Sequence, residues 1–402
     1  MLEFDQELAR DLEVIKHQAL LRRLSRVDSA QGTCLRMEGC ELLSFASNDY
    51  LGLAADAALK EAARQAVQEY GAGSGASRLL CGSLAPHHTL EEALAAFKQT
   101  QAALSFGSGW AAALGAIGSL ISRNDVLILD RLAHACLVDA ARLTGAKLRV
   151  FAHNDLADLE ALLQWAVARR ADQGVESHAR PMRILIVTES VFSMDGDVAP
   201  LVPMVELKDR YGAWLMVDEA HATGLYGPRR CGVIESLGLG GRIEVQMGTL
   251  GKAVGAAGGY IAGSRLLRDL LVNRARPFIF STAPVPAAAA AAQIGLDLIQ
   301  GERGARLTRL LWERVAQFEE AAGRIPLHRS SPGASPIVPV IVGDEQRALA
   351  AAAALRAEGI YVPAIRYPTV QRGKARLRVT LTAAHTAAEV ERLASELTKV
   401  LG

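Results

Sequence analysis

Short apolar runs separated by helix-length amphipathic stretches dominate the chain from about residue 55 to residue 285. The runs are Ala103-Leu-Ser-Phe106, Val126-Leu-Ile-Leu129, Leu148-Arg-Val-Phe151, Ile184-Leu-Ile-Val-Thr188, Trp214-Leu-Met-Val217 and Gly259-Tyr-Ile-Ala262. The runs at 126–129 and 214–217 are apolar at every position, and the run at 184–188 at all but its last, instead of at alternate ones, which is the pattern of strands covered on both faces. Their alternation with helical segments predicts a mostly parallel sheet whose ligands bind at the carboxyl ends of the strands.

Outside that region the pattern changes. An amphipathic helix is predicted from Leu8 to Leu24, then a hairpin through Cys34-Leu-Arg-Met-Glu-Gly39 to Leu42-Leu-Ser-Phe45, so residues 1–54 read as an arm. A large domain is expected over 55–285 and a small α+β domain over 286–402. In the latter, strands Ile337-Val-Pro-Val-Ile341 and Arg376-Leu-Arg-Val-Thr-Leu381 stand among helices 345–358 and 387–401. The apolar stretch Ala283 to Ile299 holds two prolines and many alanines, which suits a buried helix and not a membrane span.

With 402 residues, half of them hydrophobic, the chain can bury one large core and a smaller one. A net charge of +1 with scattered Lys and Arg gives no electrostatic case for nucleic acid or a membrane surface, which leaves small-molecule chemistry. Five cysteines, with no C-x-x-C pair, argue against a disulfide framework and against zinc, so no metal is expected. The acidic start Met1-Leu-Glu-Phe-Asp-Gln-Glu7 lacks the basic and apolar regions of a signal peptide, which predicts a cytoplasmic location.

Candidate chemistry centres on Lys252, in Met247-Gly-Thr-Leu-Gly-Lys-Ala-Val-Gly255, about thirty residues beyond Trp214-Leu-Met-Val-Asp-Glu-Ala-His221. An apolar strand ending in Asp218, then His221, then a lysine in a small-residue turn suits a pyridoxal phosphate site. The lysine can bond the aldehyde, and the carboxylate can keep a pyridine nitrogen protonated. Gly107-Ser-Gly-Trp110 opens a helical run and could receive a phosphate on backbone N–H groups, although a tight strand-to-helix turn explains it equally. His134 could lie flat on an aromatic ring or simply cap a helix. Ser193 could bond cofactor oxygens or belong to the turn Ser193-Met-Asp-Gly196. Arg366 offers a fork for a carboxylate, or is a surface arginine. Two nucleotide templates fail. Gly71-Ala-Gly-Ser-Gly-Ala-Ser-Arg78 lacks the G-x-G-x-x-G spacing, and Gly251-Lys252 is followed by Ala253 where a P-loop needs Ser or Thr.

Taken in order, several stretches make the chain recognisable. They are Ser47-Asn-Asp-Tyr-Leu-Gly52, Asp130-Arg-Leu-Ala-His134, Val191-Phe-Ser-Met-Asp-Gly-Asp197, Met216-Val-Asp-Glu-Ala-His-Ala-Thr-Gly224, Gly248-Thr-Leu-Gly-Lys252, Phe280-Ser-Thr282, Ile365-Arg-Tyr-Pro-Thr-Val370 and Arg376-Leu-Arg-Val-Thr-Leu-Thr-Ala-Ala-His385. Over nearly its whole length the chain resembles the α-oxoamine synthases. The resemblance implies the type I pyridoxal phosphate-dependent transferase fold, of aspartate aminotransferase type, with a mostly parallel seven-stranded sheet in the large α/β domain and a small α+β domain.

Carried onto this sequence, the resemblance implies that Lys252 bonds the cofactor, Asp218 pairs with its pyridine nitrogen and His134 stacks on its ring. It further implies that His221 and Ser193 bond ring oxygens or phosphate, that Gly109 and Trp110 line the phosphate cup, and that Thr249 helps anchor the phosphate. Thr282 would do so from the neighbouring subunit of a homodimer with shared sites. Asn48 and Arg366 would grip the amino-acid carboxylate, and Arg22 and Thr369 the acyl substrate. Within the family, Ser77-Arg78, Tyr367-Pro-Thr369 and Leu381-Thr-Ala-Ala-His385 point to L-alanine and pimeloyl-CoA or pimeloyl-acyl carrier protein, with release of CO2 and the free thiol carrier. Gly258-Gly-Tyr260 resembles the glycine C-acetyltransferase and 5-aminolevulinate synthase branches, so the alternative is glycine C-acetyltransferase or another α-oxoamine synthase with a different acyl donor; Trp110 stands where a smaller aromatic is usual.

Overall fold

A computed structural model of the protein describes residues 3–172, 180–323, 325 and 335–401. The chain forms two compact units, one of residues 53–193 and 198–308, the other of 1–52, 194–197 and 309–402. This division differs from the expected arm, large domain and small domain, for two reasons of pairing. The hairpin β1 (Cys34–Met37) and β2 (Cys40–Ser44) takes a third strand from the carboxyl-terminal part of the chain, and helix Pro286–Gln300 packs on helices Ala57–Tyr70 and Ala85–Phe97 of the larger unit.

The larger unit is built on a seven-stranded sheet. Its strands are β3 (Ala102–Phe106), β4 (Val126–Asp130), β5 (Lys147–Phe151), β6 (Ile184–Glu189), β7 (Trp214–Asp218), β8 (Val245–Thr249) and β9 (Gly259–Gly263), in the order β3-β9-β8-β7-β6-β4-β5. β9 pairs antiparallel with both β3 and β8, and the other pairings in the sheet are parallel. Alternation along the strands explains why the apolar runs are continuous. Leu127 and Leu129 of β4, Leu185 and Val187 of β6 and Met216 of β7 enter one core, shared with Ala112, Ala113 and Ile117 of helix Gly109–Leu120. Val126 and Ile128, Ile184 and Ile186, and Leu215 and Val217 enter a second core on the opposite face, with Leu159, Leu163 and Met204. Each fully buried Leu, Ile or Val contributes about 1.5–3 kcal/mol relative to exposure, so both faces must be roofed by helices.

In the smaller unit, β10 (Ile337–Gly343), β13 (Ala375–Thr380) and β12 (Ala364–Ile365) form an antiparallel sheet ordered β10-β13-β12, while the two-residue β11 (Ile360–Tyr361) extends the hairpin in parallel with β2. The amino-terminal helix spans Glu3–His17 and stops short of Leu24, because the chain turns at Ala19, whose φ of 57° is left-handed. No helix among the described residues is long and apolar enough to cross a membrane.

Candidate active site

Strands β6, β7 and β8 end at Glu189, Asp218 and Thr249, and in register Glu189 faces Asp218 while Asp218 faces Met247. Three chain segments therefore leave the sheet from adjacent carboxyl ends, where open α/β sheets place their ligands. Asp218 Oδ1 accepts the N–H of Ala220 at 2.9 Å, a tight turn that presents His221 three residues on. Lys252, three residues past the end of β8, puts its Nζ 2.8 Å from His221 Nε2.

Burial pushes the Asp218 carboxyl up to about 6, against the pull of the Lys252 charge. Burial, followed by the charge of Asp218, holds Glu189 well above the ordinary glutamate range, and Lys252 opposes this too. A buried carboxyl in this condition favours any cation brought against it.

His134 caps helix Ala135–Leu143, its Nδ1 accepting the N–H of Cys136 at 3.2 Å, and its backbone N–H donates to Glu189 Oε1 at 2.6 Å. Burial and then the Lys252 charge hold its pKa below the usual histidine value, which keeps the imidazole neutral at pH 7. The Trp110 ring meets it edge-on, with centroids 6.3 Å apart and planes at 81°.

Trp110 belongs to the first turn of helix Gly109–Leu120, where Ser108 Oγ accepts the N–H of Ala111 at 3.1 Å. The N–H groups of Gly109 and Trp110 have no carbonyl within the helix to reach, so this end carries partial positive charge. Two glycines bring it to the end of β8. A Cβ at Gly259 would lie 2.5 Å from Gly109 N, and one at Gly109 would lie 3.7 Å from Thr249 Cβ. Thr249 Oγ1 donates to Gly258 O at 3.0 Å and accepts the N–H of Gly251 at 3.3 Å.

These residues fit pyridoxal phosphate. The set holds an amine for the aldehyde, a buried carboxyl with raised affinity for a cation beside it, a neutral flat imidazole and a helix amino terminus for a phosphate. The described residues contain no group of three or more His, Cys, Asp or Glu able to hold a metal. Of the remaining expected cofactor contacts, Ser193 is buried four residues beyond Glu189. Thr282 is exposed and bridges to Ser77, near exposed Phe280 and Val285.

The four expected substrate residues all lie in the smaller unit. Arg22 Nη2 donates to Thr369 Oγ1 at 3.3 Å and to Tyr367 O at 3.4 Å. Arg366 is buried; its Nη1 donates to Ala19 O, and its Nε has no hydrogen-bond partner among the described residues. Burial and the nearby Arg22 charge lower its pKa. Asn48 Oδ1 accepts from both Nη1 and Nη2 of Arg378, each at 3.2 Å.

Two of these groups escaped sequence reasoning. Glu189 closes an apolar strand with a carboxylate just as Asp218 does, a signal that was available. Arg378 had none, since alternation along β13 reveals its strand and not its partner Asn48, 330 residues away.

The model of the family aminotransferase class I and II matches residues 41–397. Among curated relatives, an 8-amino-7-oxononanoate synthase of Anaeromyxobacter dehalogenans is 47% identical over 98% of this chain and 95% of its own. One of Geobacter sulfurreducens is 44% identical over 98% and 97%. A solved serine palmitoyltransferase from S. paucimobilis superposes with a TM-score of 0.89 at 27% identity, covering 100% of this chain and 98% of its own. An 8-amino-7-oxononanoate synthase from Francisella tularensis gives 0.73 at 26% identity, over 89% and 97%.

Proposed function

Because the chain belongs to the 8-amino-7-oxononanoate synthases, pyridoxal phosphate-dependent acyltransferases of the aminotransferase class I and II family, we propose that its substrates are L-alanine and a pimeloyl thioester. The enzyme acts in biotin biosynthesis, joining an amino acid to an acyl thioester. With the proposed pair, alanine and pimeloyl-CoA or pimeloyl-acyl carrier protein give 8-amino-7-oxononanoate, CO2 and the free thiol carrier.

Bound pyridoxal phosphate supplies an aldehyde that holds the amino group and a ring that accepts the electron pair left at Cα by loss of a proton or of CO2. The protein's residues do the rest. Lys252 holds the cofactor at rest, and its Nζ, once released, takes the Cα proton of alanine. His221 Nε2, 2.8 Å from Nζ, hydrogen-bonds that amine and orients it. Asp218 keeps the ring nitrogen protonated, and Gly109, Trp110, Ser193 and Thr249 hold ring and phosphate oxygens. His134 covers one ring face without adding charge.

The observation that carries the substrate reading is the state of Arg366, a buried guanidinium whose Nε has no hydrogen-bond partner among the described residues and on which the charge of Arg22 acts. Burial and then the Arg22 charge disfavour the Arg366 cation while Glu345 opposes them, so an anion brought against it is favoured. Alanine brings one carboxylate and pimeloyl a second at its far end, whereas an acetyl donor brings only the first. In this proposal Arg366 and Asn48 take the amino-acid carboxylate, and Arg22 with Thr369 the acyl group. The proposal also includes a cytoplasmic homodimer in which Thr282 reaches the partner's phosphate. Exposed Leu79, Leu80, Phe280 and Val285 in the same unit as Thr282 support the contact, and five unpaired cysteines support the compartment.

The test is the product mass from enzyme given pyridoxal phosphate with alanine and pimeloyl-CoA, alanine and pimeloyl-acyl carrier protein, or glycine and acetyl-CoA. A product of the 8-amino-7-oxononanoate mass is expected from alanine. Turnover confined to glycine with acetyl-CoA overturns the reading.

A further inference from the structure

Lys98 and Glu219 form an ion pair whose side chains are 1% and 0% exposed, well inside the larger unit. Burying two charges costs several kcal/mol each, and apolar replacements of such pairs are often neutral or better for stability. Stability alone is therefore a poor reason for the pair, and its position in the chain supplies another. Glu219 directly follows Asp218 and lies two residues before His221.

Every polar group of Glu219 is engaged. Its N–H donates to Met247 O at 2.8 Å, tying the turn to β8. Its carbonyl accepts the N–H of Ala222 at 2.9 Å and that of Thr223 at 2.8 Å, together with Thr223 Oγ1 at 2.9 Å. Its carboxylate accepts the N–H of Ile234 on Oε1 at 2.9 Å and the Lys98 ammonium on Oε2. Lys98 Nζ also donates to Cys231 O at 2.7 Å. The residue is thus the pivot of the turn that carries Asp218 on one side and His221 on the other. Burial opposes the Lys98 charge, but Glu219 outweighs it and holds the ammonium above the ordinary lysine value.

We infer that Lys98 and Glu219 are positioning residues which, through the pivot at Glu219, fix the Asp218 carboxylate and the His221 imidazole against the cofactor. The inference rests on the roles given above to Asp218 and His221. Lys98 also neutralises the charge of Glu219, which otherwise would act unopposed on the Asp218 carboxyl beside it in the chain.

The experiment compares holoenzymes carrying Lys98→Met/Glu219→Gln, Lys98→Arg and Asp218→Asn. The double variant keeps an acceptor for the Ile234 N–H and buries no charge, so its thermal midpoint is expected to stay within a few degrees of wild type. Its pyridoxal phosphate affinity should fall about tenfold, and the pH titration of the bound cofactor's visible absorbance should shift. The kcat should fall about tenfold while the thioester KM stays unchanged, losses of the size typical when supports of a site are removed. Lys98→Arg, which keeps the charge, should recover most of each. A double variant with wild-type affinity, titration and kcat overturns the inference. If it does not fold, Glu219→Asp carries the same readouts, because a shortened pivot keeps the charge and moves the turn. Asp218→Asn separates the two levels: a wild-type titration in that variant overturns the site assignment itself, whereas a shifted one beside an unshifted double variant overturns only the positioning role.

Discussion

Glu189 stands directly opposite Asp218 at the ends of two parallel strands, and both carboxyls are buried with Lys252 as the cation acting on each. Burial raises both carboxyls, the Asp218 charge raises Glu189 further, and Lys252 opposes each shift, so a further cation brought against the pair is favoured. In the apoenzyme the folded-state value of Asp218 lies above its unfolded value. The folded protein therefore keeps a proton that the unfolded chain loses, and stability declines as pH rises from about 4 to about 6. The rise from 3.8 to about 6 corresponds to roughly 3 kcal/mol. Apo Asp218→Asn should gain stability over wild type across that window, read from urea midpoints at several pH values, with Glu189 still contributing its own decline. Equal pH slopes in the two proteins would show that Asp218 titrates normally.

Lys252→Ala should fold and still bind pyridoxal phosphate through the Gly109 helix end, since no strand or core residue changes. Condensation should be lost. Turnover at a tenth of the wild-type rate or more would remove Lys252 from the role of base.

A Cβ on Gly259 would meet Gly109 N at 2.5 Å, closer than packed atoms allow. Gly259→Ala must then push the helix end away from Thr249 and widen the cup. Cofactor affinity measured by absorbance titration should fall at least tenfold. An unchanged dissociation constant would mean that the phosphate is held elsewhere.

The larger sheet was legible because burial on both faces leaves continuous apolar runs. β8 was harder to see, since Val245-Gln-Met-Gly-Thr249 breaks its run with Gln246 and Gly248. β11 and β12 are too short, at two residues each, to show any period. Lys252, His221 and Asp218 stood out through close spacing around two strand ends. The pairing of Lys98 with Glu219 spans 121 residues, and nothing local to either announces the other. The same holds for the unit boundaries, set by β2 meeting β11 and by helix Pro286–Gln300 meeting two earlier helices.

The buried Nε of Arg366 has no partner among the described residues, which suits a forked grip on a carboxylate that lysine cannot copy. Arg366→Lys should raise the KM for alanine by about 10- to 100-fold, the equivalent of roughly 1.5–3 kcal/mol for charged hydrogen bonds, with little change in cofactor affinity. Steady-state kinetics at saturating thioester reads this directly. A KM within twofold of wild type would leave the carboxylate to another group.

If Thr282 reaches the partner's phosphate, two inactive variants should complement each other. Lys252→Ala removes the lysine from its own site, while Thr282→Trp, on the exposed bridge with Ser77, damages only the site across the interface. Mixed, unfolded and refolded together, the chains form heterodimers in which one site carries both defects and the other neither. Random twofold assembly makes about half of all dimers mixed, so recovered activity should approach roughly a quarter of wild type. Heterodimers verified by mass but without activity would place Thr282 in its own subunit's site and remove the shared-site arrangement.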